Sequence, residues 1–418
     1  MDIFLNSRIM KRARIIVSLL SNALKSATVT ATFVMALGKA CFPAFAQDTI
    51  TLTSSLPRTG SANLDSTSIA NGIQLAISEV NGVVAGMPIR YEDWDDASPE
   101  RGAWDPMIEV ANANKAVRDS SVMVFIGPFN SGAAKVSMPI LNKAGLAQIT
   151  PGSSWPGLTK EGLGTPGEPH VYRPSGGITF FRLVPADDLQ APAAAEWAKE
   201  LGKDRIFVIH DRELYGKGIA EIFAKSGKQR GLNIVGFEGI DPKASNYKPL
   251  ANKIRATRPS LIYFGGTTQT NAGQVVKDVR SIGIDTPFMF PSGCYQKALI
   301  SAAGAENLND RAYLTFSGLP PQHLTGRGRD FYAEYKTRFS TEPEGWAVYG
   351  YEAARVALKA IGRVGRRDRA AILAAIRETK DYEGALGTWS FDENGDSTLR
   401  TLTKIVVRDG AFEYLPPE

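Results

Sequence analysis

VMVFIGPFNSGAAKVSMPILNKAGLAQITPGSS, residues 122–154, contains the same strand-and-turn pattern twice and decides the fold. An apolar run ends in the Gly- and Ser-containing turn 127–132, and after a helix-like segment a second apolar run ends in the turn 150–154. Parallel strands that are joined by a helix point the same way, so both turns are expected at the carboxyl edge of one sheet. The stretch therefore predicts a doubly wound α/β sheet with a ligand site at that edge.

The residue types in these turns favour a small anion. Ser131 stands where a helix N-cap is expected, and the helix behind it offers free N–H groups and the positive end of its dipole. A carboxylate fits such a site. The alternative, that Ser131 and Ser154 only cap helices, stays open from this stretch alone.

The rest of the chain continues the alternation of strands and helices. Residues 48–154 have the pattern βαβαβαβ, and a second α/β series begins at Phe180. We expect two doubly wound parallel-sheet lobes joined by three crossings of the chain. We expect the first lobe to comprise residues 47–184 plus 318–387, and the second lobe residues 185–317 plus 388–418. The expected crossings lie near 182–185, 317 and 388.

Residues 155–178 interrupt this rhythm with many Gly and Pro residues and little periodicity. More than twenty such residues within a compact domain are typical of a functional loop. We expect a long excursion near the mouth of the site, and a tolerated surface insertion is the alternative.

The basic charge of the chain is concentrated in its first 46 residues. The 48 Lys and Arg residues exceed the 43 Asp and Glu residues by five, and residues 1–46 alone hold six basic side chains and one acidic. The remainder is neutral, so nucleic-acid binding has no compositional support. Basic residues, the apolar segment 27–37 and an Ala-x-Ala ending predict a signal peptide cleaved after Ala46, with lipidation at Cys41 as the alternative.

Patterns of catalytic and metal-binding residues are missing from the sequence. It contains no Gly-x-Ser-x-Gly, no Gly-x-Gly-x-x-Gly after a strand and no His-Glu-x-x-His. Without the leader only Cys294 remains, and the three histidines, His170, His210 and His323, lie far apart. We therefore expect no enzyme activity, no metal, no cofactor and no disulfide.

Several segments together resemble the periplasmic binding proteins of branched-chain amino acid ABC transporters. The most specific are FIGPFNS, AQITPGSS, VIHDRELYGKG, LIYFGGT and GTWSFDENGD, and the similarity covers nearly the whole chain after the leader. The resemblance implies a type I periplasmic binding protein fold, whose two α/β lobes close around one small ligand through a three-stranded hinge.

The resemblance also implies a set of ligand-binding positions. Ser131 and Ser154, with backbone groups of Asn130 and Gly152, match the holders of an α-carboxylate. Ser153 lies in the turn 150–154, and Thr267 ends the segment LIYFGGT. Tyr215 matches an aromatic residue of the second lobe that closes over the ligand, and Trp346 matches a pocket aromatic.

One position departs from the family in a way that bears on the ligand. Ser292 stands where the family commonly has an acid that pairs the ligand's ammonium group, and a hydroxyl cannot balance a buried cation. Either another acid does so, for which Asp65 is a candidate, or the ligand lacks an amine.

These observations predict an exported, monomeric solute-binding protein that delivers a small carboxylate-bearing ligand to the membrane permease of an ABC importer. We expect a branched-chain or other aliphatic amino acid. The alternatives are a binder of amides, urea or aromatic acids and, from other classes, an exported hydrolase or a ligand-sensing module.

Overall fold

The structure is a computed structural model that describes residues 49–416. The predicted leader, its cleavage after Ala46 and the alternative anchor at Cys41 lie outside these residues. Within 49–416, no helix combines the length and the apolar character that crossing a membrane requires.

The described part of the chain alternates short strands with helices. The strands are β1 Ile50–Leu56, β2 Val83–Val84, β3 Met87–Asp95, β4 Ala97–Ser98, β5 Ala103–Trp104, β6 Val122–Ile126, β7 Ala147–Thr150, β8 Phe180–Arg182, β9 Arg205–His210, β10 Asn233–Gly239, β11 Leu261–Gly265, β12 Phe288–Phe290, β13 Ala312–Phe316, β14 Tyr382–Gly384, β15 Gly387–Trp389, β16 Thr403–Arg408 and β17 Ala411–Leu415. The helices are α1 Asn63–Glu79, α2 Pro106–Arg118, α3 Ser131–Lys143, α4 Asp187–Glu200, α5 Leu214–Gln229, α6 Lys248–Thr257, α7 Ala272–Ser281, α8 Lys297–Ala303, α9 Ala305–Leu308, α10 Arg327–Phe339, α11 Ala347–Val364 and α12 Arg369–Arg377.

The first lobe contains a six-stranded sheet in the order β2-β3-β1-β6-β7-β8. All neighbours are parallel except β2 and β3. All five residues of β6 are buried, because helices cover both faces of a parallel sheet and leave its central strands no solvent-facing side. This burial explains why the opening stretch has a continuous apolar run instead of alternation.

The second lobe contains a seven-stranded sheet in the order β10-β9-β11-β12-β13-β16-β17. Strands β10 to β13 in this order pair in parallel, and β16 and β17 add two antiparallel strands at one edge. The predicted α/β class with two parallel-sheet lobes is confirmed. The terminal strand β17 and the two short helices α8 and α9 had no counterpart in the sequence prediction.

The chain passes between the two sheets after β8, after β13 and before β16. Thr388 lies in the hairpin of β14 with β15. The indole of the neighbouring Trp389 donates to Glu352 at 2.8 Å, so this hairpin packs on α11. The third passage therefore follows Thr388 rather than coinciding with it. Asp396 still pairs with Arg182 at the edge of the first sheet, and the chain enters the second sheet only at Thr403. The exact lobe boundaries stay a prediction.

A polar network ties these passages together. The buried side-chain amide of Gln190 on α4 donates to Ser292 Oγ at 2.5 Å and to the Thr315 carbonyl at 2.8 Å. The Ser317 N–H also donates to Ser292 Oγ, at 2.9 Å. Ser292 therefore joins helix α4, which follows the first passage, to Ser317 at the start of the second.

Candidate functional site

The two predicted turns of the first lobe and three turns of the second line a narrow pocket in the cleft between the lobes, called here the inner chamber. It lies at the carboxyl ends of the parallel strands, where open α/β sheets bind ligands. Its walls are formed by Phe129, Asn130, Ser131, Gly152, Ser154, Tyr215, Thr267, Gly293 and Trp346.

The first-lobe wall of the inner chamber offers hydrogen-bond donors. Helix α3 begins at Ser131, and no side chain caps its first N–H groups, so these groups are free for a ligand. The Trp155 N–H donates to Ser131 Oγ at 3.2 Å, which leaves the proton of this hydroxyl free. The Gly152 N–H, in contrast, already donates to Thr150 Oγ1 at 3.2 Å. A carboxylate in this chamber therefore meets the α3 N-terminus and the Ser131 hydroxyl first.

Tyr215 forms the second-lobe wall. Its hydroxyl accepts a bond from the Gly293 N–H at 3.1 Å, so its own proton is available to a ligand. Burial raises the pKa of Tyr215 well above its ordinary value, and the group stays neutral. Tyr215 can therefore act as a donor from the lobe opposite Ser131.

Aromatic rings form the remaining walls of the inner chamber. Trp346 packs edge-on against Phe129, with ring centroids 5.4 Å apart, and against Phe316 at 5.3 Å. The indole N–H of Trp346 is buried without a partner among residues 49–416. The chamber thus combines apolar walls with an unused donor.

An acid that the sequence prediction did not include lies directly behind Ser154. Asp187, the first residue of α4, is fully buried, and its N–H donates to the Ser154 carbonyl at 3.0 Å. Burial raises the pKa of its carboxyl to about 7, against the opposing effect of the nearby Ser154 hydroxyl and Arg182. No well-aligned hydrogen bond from the described residues reaches either carboxyl oxygen. Asp187 lines neither chamber itself, and its carboxyl lies next to Ser154, a wall residue of the inner chamber.

A second narrow pocket, the outer chamber, shares four wall residues with the inner one: Asn130, Ser131, Tyr215 and Thr267. Its first-lobe wall is apolar and includes Pro57 and Trp104. Its second-lobe wall is polar and includes Asp211, Glu213, Gln269 and Thr270. The lobes meet at its rim, where Arg101 lies 3.5 Å from Glu213.

Seven of the ten predicted site residues line the inner chamber, namely Asn130, Ser131, Gly152, Ser154, Tyr215, Thr267 and Trp346. The structure does not bring Ser153, Ser292 and Asp65 to either chamber.

These three residues have structural partners instead. Ser153 donates to the Pro128 carbonyl at 3.0 Å, and Ser292 belongs to the hinge network. Asp65 accepts a bond from the Gln296 side-chain amide, and burial together with Glu344 raises the pKa of its carboxyl. Asp65 therefore bridges the lobes and lines neither chamber, while its other carboxyl oxygen has no partner among the described residues.

Sequence reasoning missed Phe129 and Gly293 in the inner chamber and, apart from Tyr215 and Thr267, the second-lobe wall of the outer one. Phe129 and Gly293 lie within turns that had been singled out, so the turn signal could have included them. Asp187 looks like an ordinary first-turn helix acid, and Gln269 follows a Gly-Gly turn without any pattern of its own. Only their burial marks these two residues.

The long loop 155–178 is folded against both lobes. Trp155, Leu158 and Tyr172 form a small core with Met138 of α3. Within it the buried carboxylate of Glu168 accepts bonds from the Trp155 indole at 2.9 Å and the Tyr172 hydroxyl at 2.5 Å.

This loop also contacts the second lobe. Leu214 and Ile222 of α5 pack against the same small core, and the Lys160 ammonium pairs with Asp188 of α4 at 2.7 Å. The Trp155 ring lies directly over Gly218 of α5. The loop is therefore a contact between the lobes rather than a free surface insertion.

Comparison with known proteins places this geometry in a family. The profile of a family described as periplasmic binding protein matches residues 49–410. The leucine-, isoleucine-, valine-, threonine-, and alanine-binding protein of Pseudomonas aeruginosa is 28% identical over 356 residues, which cover 84% of this chain and 88% of that protein.

Solved structures share the fold. The branched-chain amino acid transporter substrate binding protein LivJ of Streptococcus pneumoniae, in complex with isoleucine, aligns with a TM-score of 0.76 at 24% identity, covering 88% of this chain and 100% of that one. An ABC transporter solute binding protein of R. palustris, in complex with benzoate, aligns with a TM-score of 0.73 at 17% identity, covering 88% and 95%.

These relatives are binding proteins, not enzymes, and they agree with a two-lobed structure whose cavity offers donors but no catalytic constellation. Because one family profile spans nearly all of residues 49–416, the chain belongs to the periplasmic binding protein family.

Proposed function

We propose that this protein captures a small α-amino acid between its lobes and delivers it to the permease of an ABC importer. In this proposal the protein works outside the cytoplasmic membrane as a monomer without nucleic acid, after removal of a signal peptide. The named relatives support the choice of ligand class, since two of them are described as binding or holding branched-chain amino acids.

The ligand's carboxylate is assigned to the first lobe. The free N–H groups at the start of α3 and the Ser131 hydroxyl converge on the inner chamber, and a carboxylate can accept bonds from both. Charge-assisted bonds of this kind contribute about 1.5–3 kcal/mol each, enough to fix the orientation of the ligand.

The observation that carries the choice of an amino acid is Asp187. Its carboxyl lies behind Ser154, is fully buried and has no well-aligned donor, so it is the acid that can balance an ammonium group in place of Ser292. Since burial raises the pKa of this carboxyl to about 7, an arriving ammonium group stabilises the ionised form and drives off a proton.

Closure of the lobes supplies the rest of the binding energy. Tyr215 and Thr267 of the second lobe complete walls that begin with Ser131 and Trp346 of the first, so a bound ligand contacts both lobes only in the closed arrangement. Burying the ligand excludes water and strengthens each polar contact. The closed form is then the species that the permease recognises.

Binding of an aromatic acid is the second candidate. The apolar walls of Phe129 and Trp346 and the benzoate in the structure from R. palustris favour it. An aromatic acid needs no partner for an ammonium group, so Asp187 distinguishes the two candidates.

Titration calorimetry with leucine and its deaminated analogue tests the proposal. We expect leucine to bind the wild-type protein more tightly than its deaminated analogue does. Asp187→Asn should lower the affinity for leucine at least tenfold and leave the affinity for the deaminated acid unchanged. Asp188→Asn is the matched control, because Asp188 is the next residue and pairs with Lys160 outside the chambers. Equal affinities for both ligands, unaffected by Asp187→Asn, would remove the amino acid from the proposal.

A further inference from the structure

The inner and outer chambers are neighbouring parts of the cleft between the lobes. They share Asn130, Ser131, Tyr215 and Thr267, so the two cavities meet along a common boundary. A ligand held by its carboxylate at Ser131 can therefore extend a side chain past Thr267 into the outer chamber. The character of that chamber then determines which side chains are accepted.

Gln269 is the most informative residue of the outer chamber. Both its side-chain oxygen and its side-chain nitrogen are shielded from solvent, and neither has a partner among residues 49–416. The side-chain oxygen of Asn130, on the boundary of the two chambers, is shielded and unpartnered as well. Buried polar groups are nearly always paired in folded proteins, so these atoms indicate a missing partner.

The backbone holds Gln269 firmly at this wall. It lies in a short turn, Thr268–Thr270, where Thr267 and Thr270 form a reciprocal capping pair. The Thr270 hydroxyl also donates to Asp211 at 2.8 Å, and the Glu213 N–H donates to the other oxygen of Asp211 at 2.9 Å. The unpaired amide is therefore part of a fixed wall.

The charges around Gln269 decide which ligand groups are suitable. Asp211 and Glu213 both line the chamber, and Arg101 at the rim is the one cation among the described residues that pairs with either of them. Burial raises the pKa of both carboxyls, which shows that negative charge is already unfavourable there. A second anionic group would be repelled, whereas N–H donors are attracted.

We propose that the ligand's side chain ends in N–H donors, as a carboxamide or a cationic nitrogen group, and that this end bonds Gln269 and Asn130 in the outer chamber. Its methylene groups pack against Trp104 and Pro57 on the apolar first-lobe wall. This inference rests on the proposed function, and it narrows the ligand from aliphatic amino acids to amino acids with a donor-bearing side chain.

Titration calorimetry with glutamine, arginine, leucine and norleucine tests the inference. For the wild-type protein we expect glutamine or arginine to bind at least tenfold more tightly than leucine or norleucine. In Gln269→Met, which keeps the length of the side chain without its amide, the affinity for the donor-bearing ligand falls about tenfold and that for norleucine is kept or improved.

A second variant separates the two kinds of donor. If the natural ligand has a cationic side chain, Gln269→Glu should keep or improve the affinity for arginine and abolish glutamine binding. If the natural ligand is glutamine, Gln269→Glu should weaken glutamine binding. Gln274→Met is the control, because the Gln274 amide bonds Asp278 at 3.0 Å and lies outside both chambers. The melting temperature of each variant without ligand confirms that it folds.

Two results would overturn the inference while leaving the proposed function intact: tighter binding of leucine than of every donor-bearing ligand, or an equal effect of Gln269→Met on all four ligands. Failure of the proposed function has a different signature, since then none of the four amino acids binds and only amine-free acids do.

Discussion

Replacing Gly218 by alanine should weaken ligand binding without destabilising the protein. Gly218 is on α5 of the second lobe, and its Cα faces the ring of Trp155 in the long loop of the first lobe. A Cβ at this position would lie 2.3 Å from Cζ3 of that ring, where carbon atoms normally approach to about 3.5–4.0 Å. The overlap therefore exceeds 1 Å.

The ring cannot move aside easily. The Trp155 indole donates to the buried Glu168 at 2.9 Å. The backbone carbonyl of Trp155 accepts a bond from the buried Arg182 guanidinium at 2.7 Å. Overpacking of this kind costs about 1–3 kcal/mol. Because the clash lies between the lobes, opening the cleft relieves it, and the cost reduces the population of the closed form. We expect the apparent affinity to fall about 5- to 150-fold.

The assay is titration calorimetry with the best ligand, combined with small-angle scattering of the ligand-bound protein. Gly227→Ala is the matched control on the same helix, where the new Cβ meets the side chains of Leu232 at 3.3 Å and Ile234 at 3.7 Å. Melting temperatures of both variants should stay at or above the wild-type value, since alanine favours a helix over glycine. Unchanged affinity of Gly218→Ala would refute the reasoning that this contact belongs to the closed state.

Three further predictions follow from single contacts. Ser131→Ala removes one donor to the carboxylate and should weaken binding about tenfold, measured by calorimetry; unchanged affinity would take Ser131 out of the site. Arg182→Met breaks the buried pair with Asp396 and should lower the free energy of unfolding by about 3–5 kcal/mol in urea titrations, whereas a loss below about 1 kcal/mol would contradict this account. Burial raises the pKa of Glu109 to about 8, so the folded state keeps a proton that the unfolded state releases, and stability should fall as the pH rises from about 5 to about 8. Glu109→Gln should flatten that dependence, and an unchanged slope would argue against it.

The sequence predicted the fold well because its signals are local. Continuous apolar runs mark buried parallel strands, and the turns that follow them contain the residues expected at strand ends and helix starts. Strand β17 has no buried residue, so its apolar signal was weak. The short helix Ala305–Leu308 is too brief to show a period.

The site was predictable where it depends on turns and unpredictable where it depends on burial. Ser131 and Ser154 could be found because each follows a recognisable strand. Asp65 was a reasonable candidate from its place near the first strand, yet its partner Gln296 is distant in the sequence and could not be anticipated. The same reason hid Asp187 and Gln269, whose significance comes from atoms left without partners after folding.

The family resemblance was confirmed, and it also explains which inferences needed the structure. A resemblance predicts a role for positions that match the family, such as Tyr215 and Trp346. It predicts nothing for positions where the chain departs from its relatives. The departure at Ser292 illustrates this, because in this protein the hydroxyl bonds Gln190 and Ser317 and a different acid, Asp187, is buried next to Ser154.

The most direct test of the central claim is a thermal-shift screen of the purified protein against amino acids, their deaminated acids, their amides and aromatic acids. A ligand at about 100 times its dissociation constant stabilises the folded state by about 2.7 kcal/mol, which raises the melting temperature by several degrees. We predict that one or more amino acids produce this shift and that their deaminated counterparts do not. A shift produced only by ligands without an amine would contradict the assignment of an ammonium group to Asp187 and, with it, the amino acid as ligand.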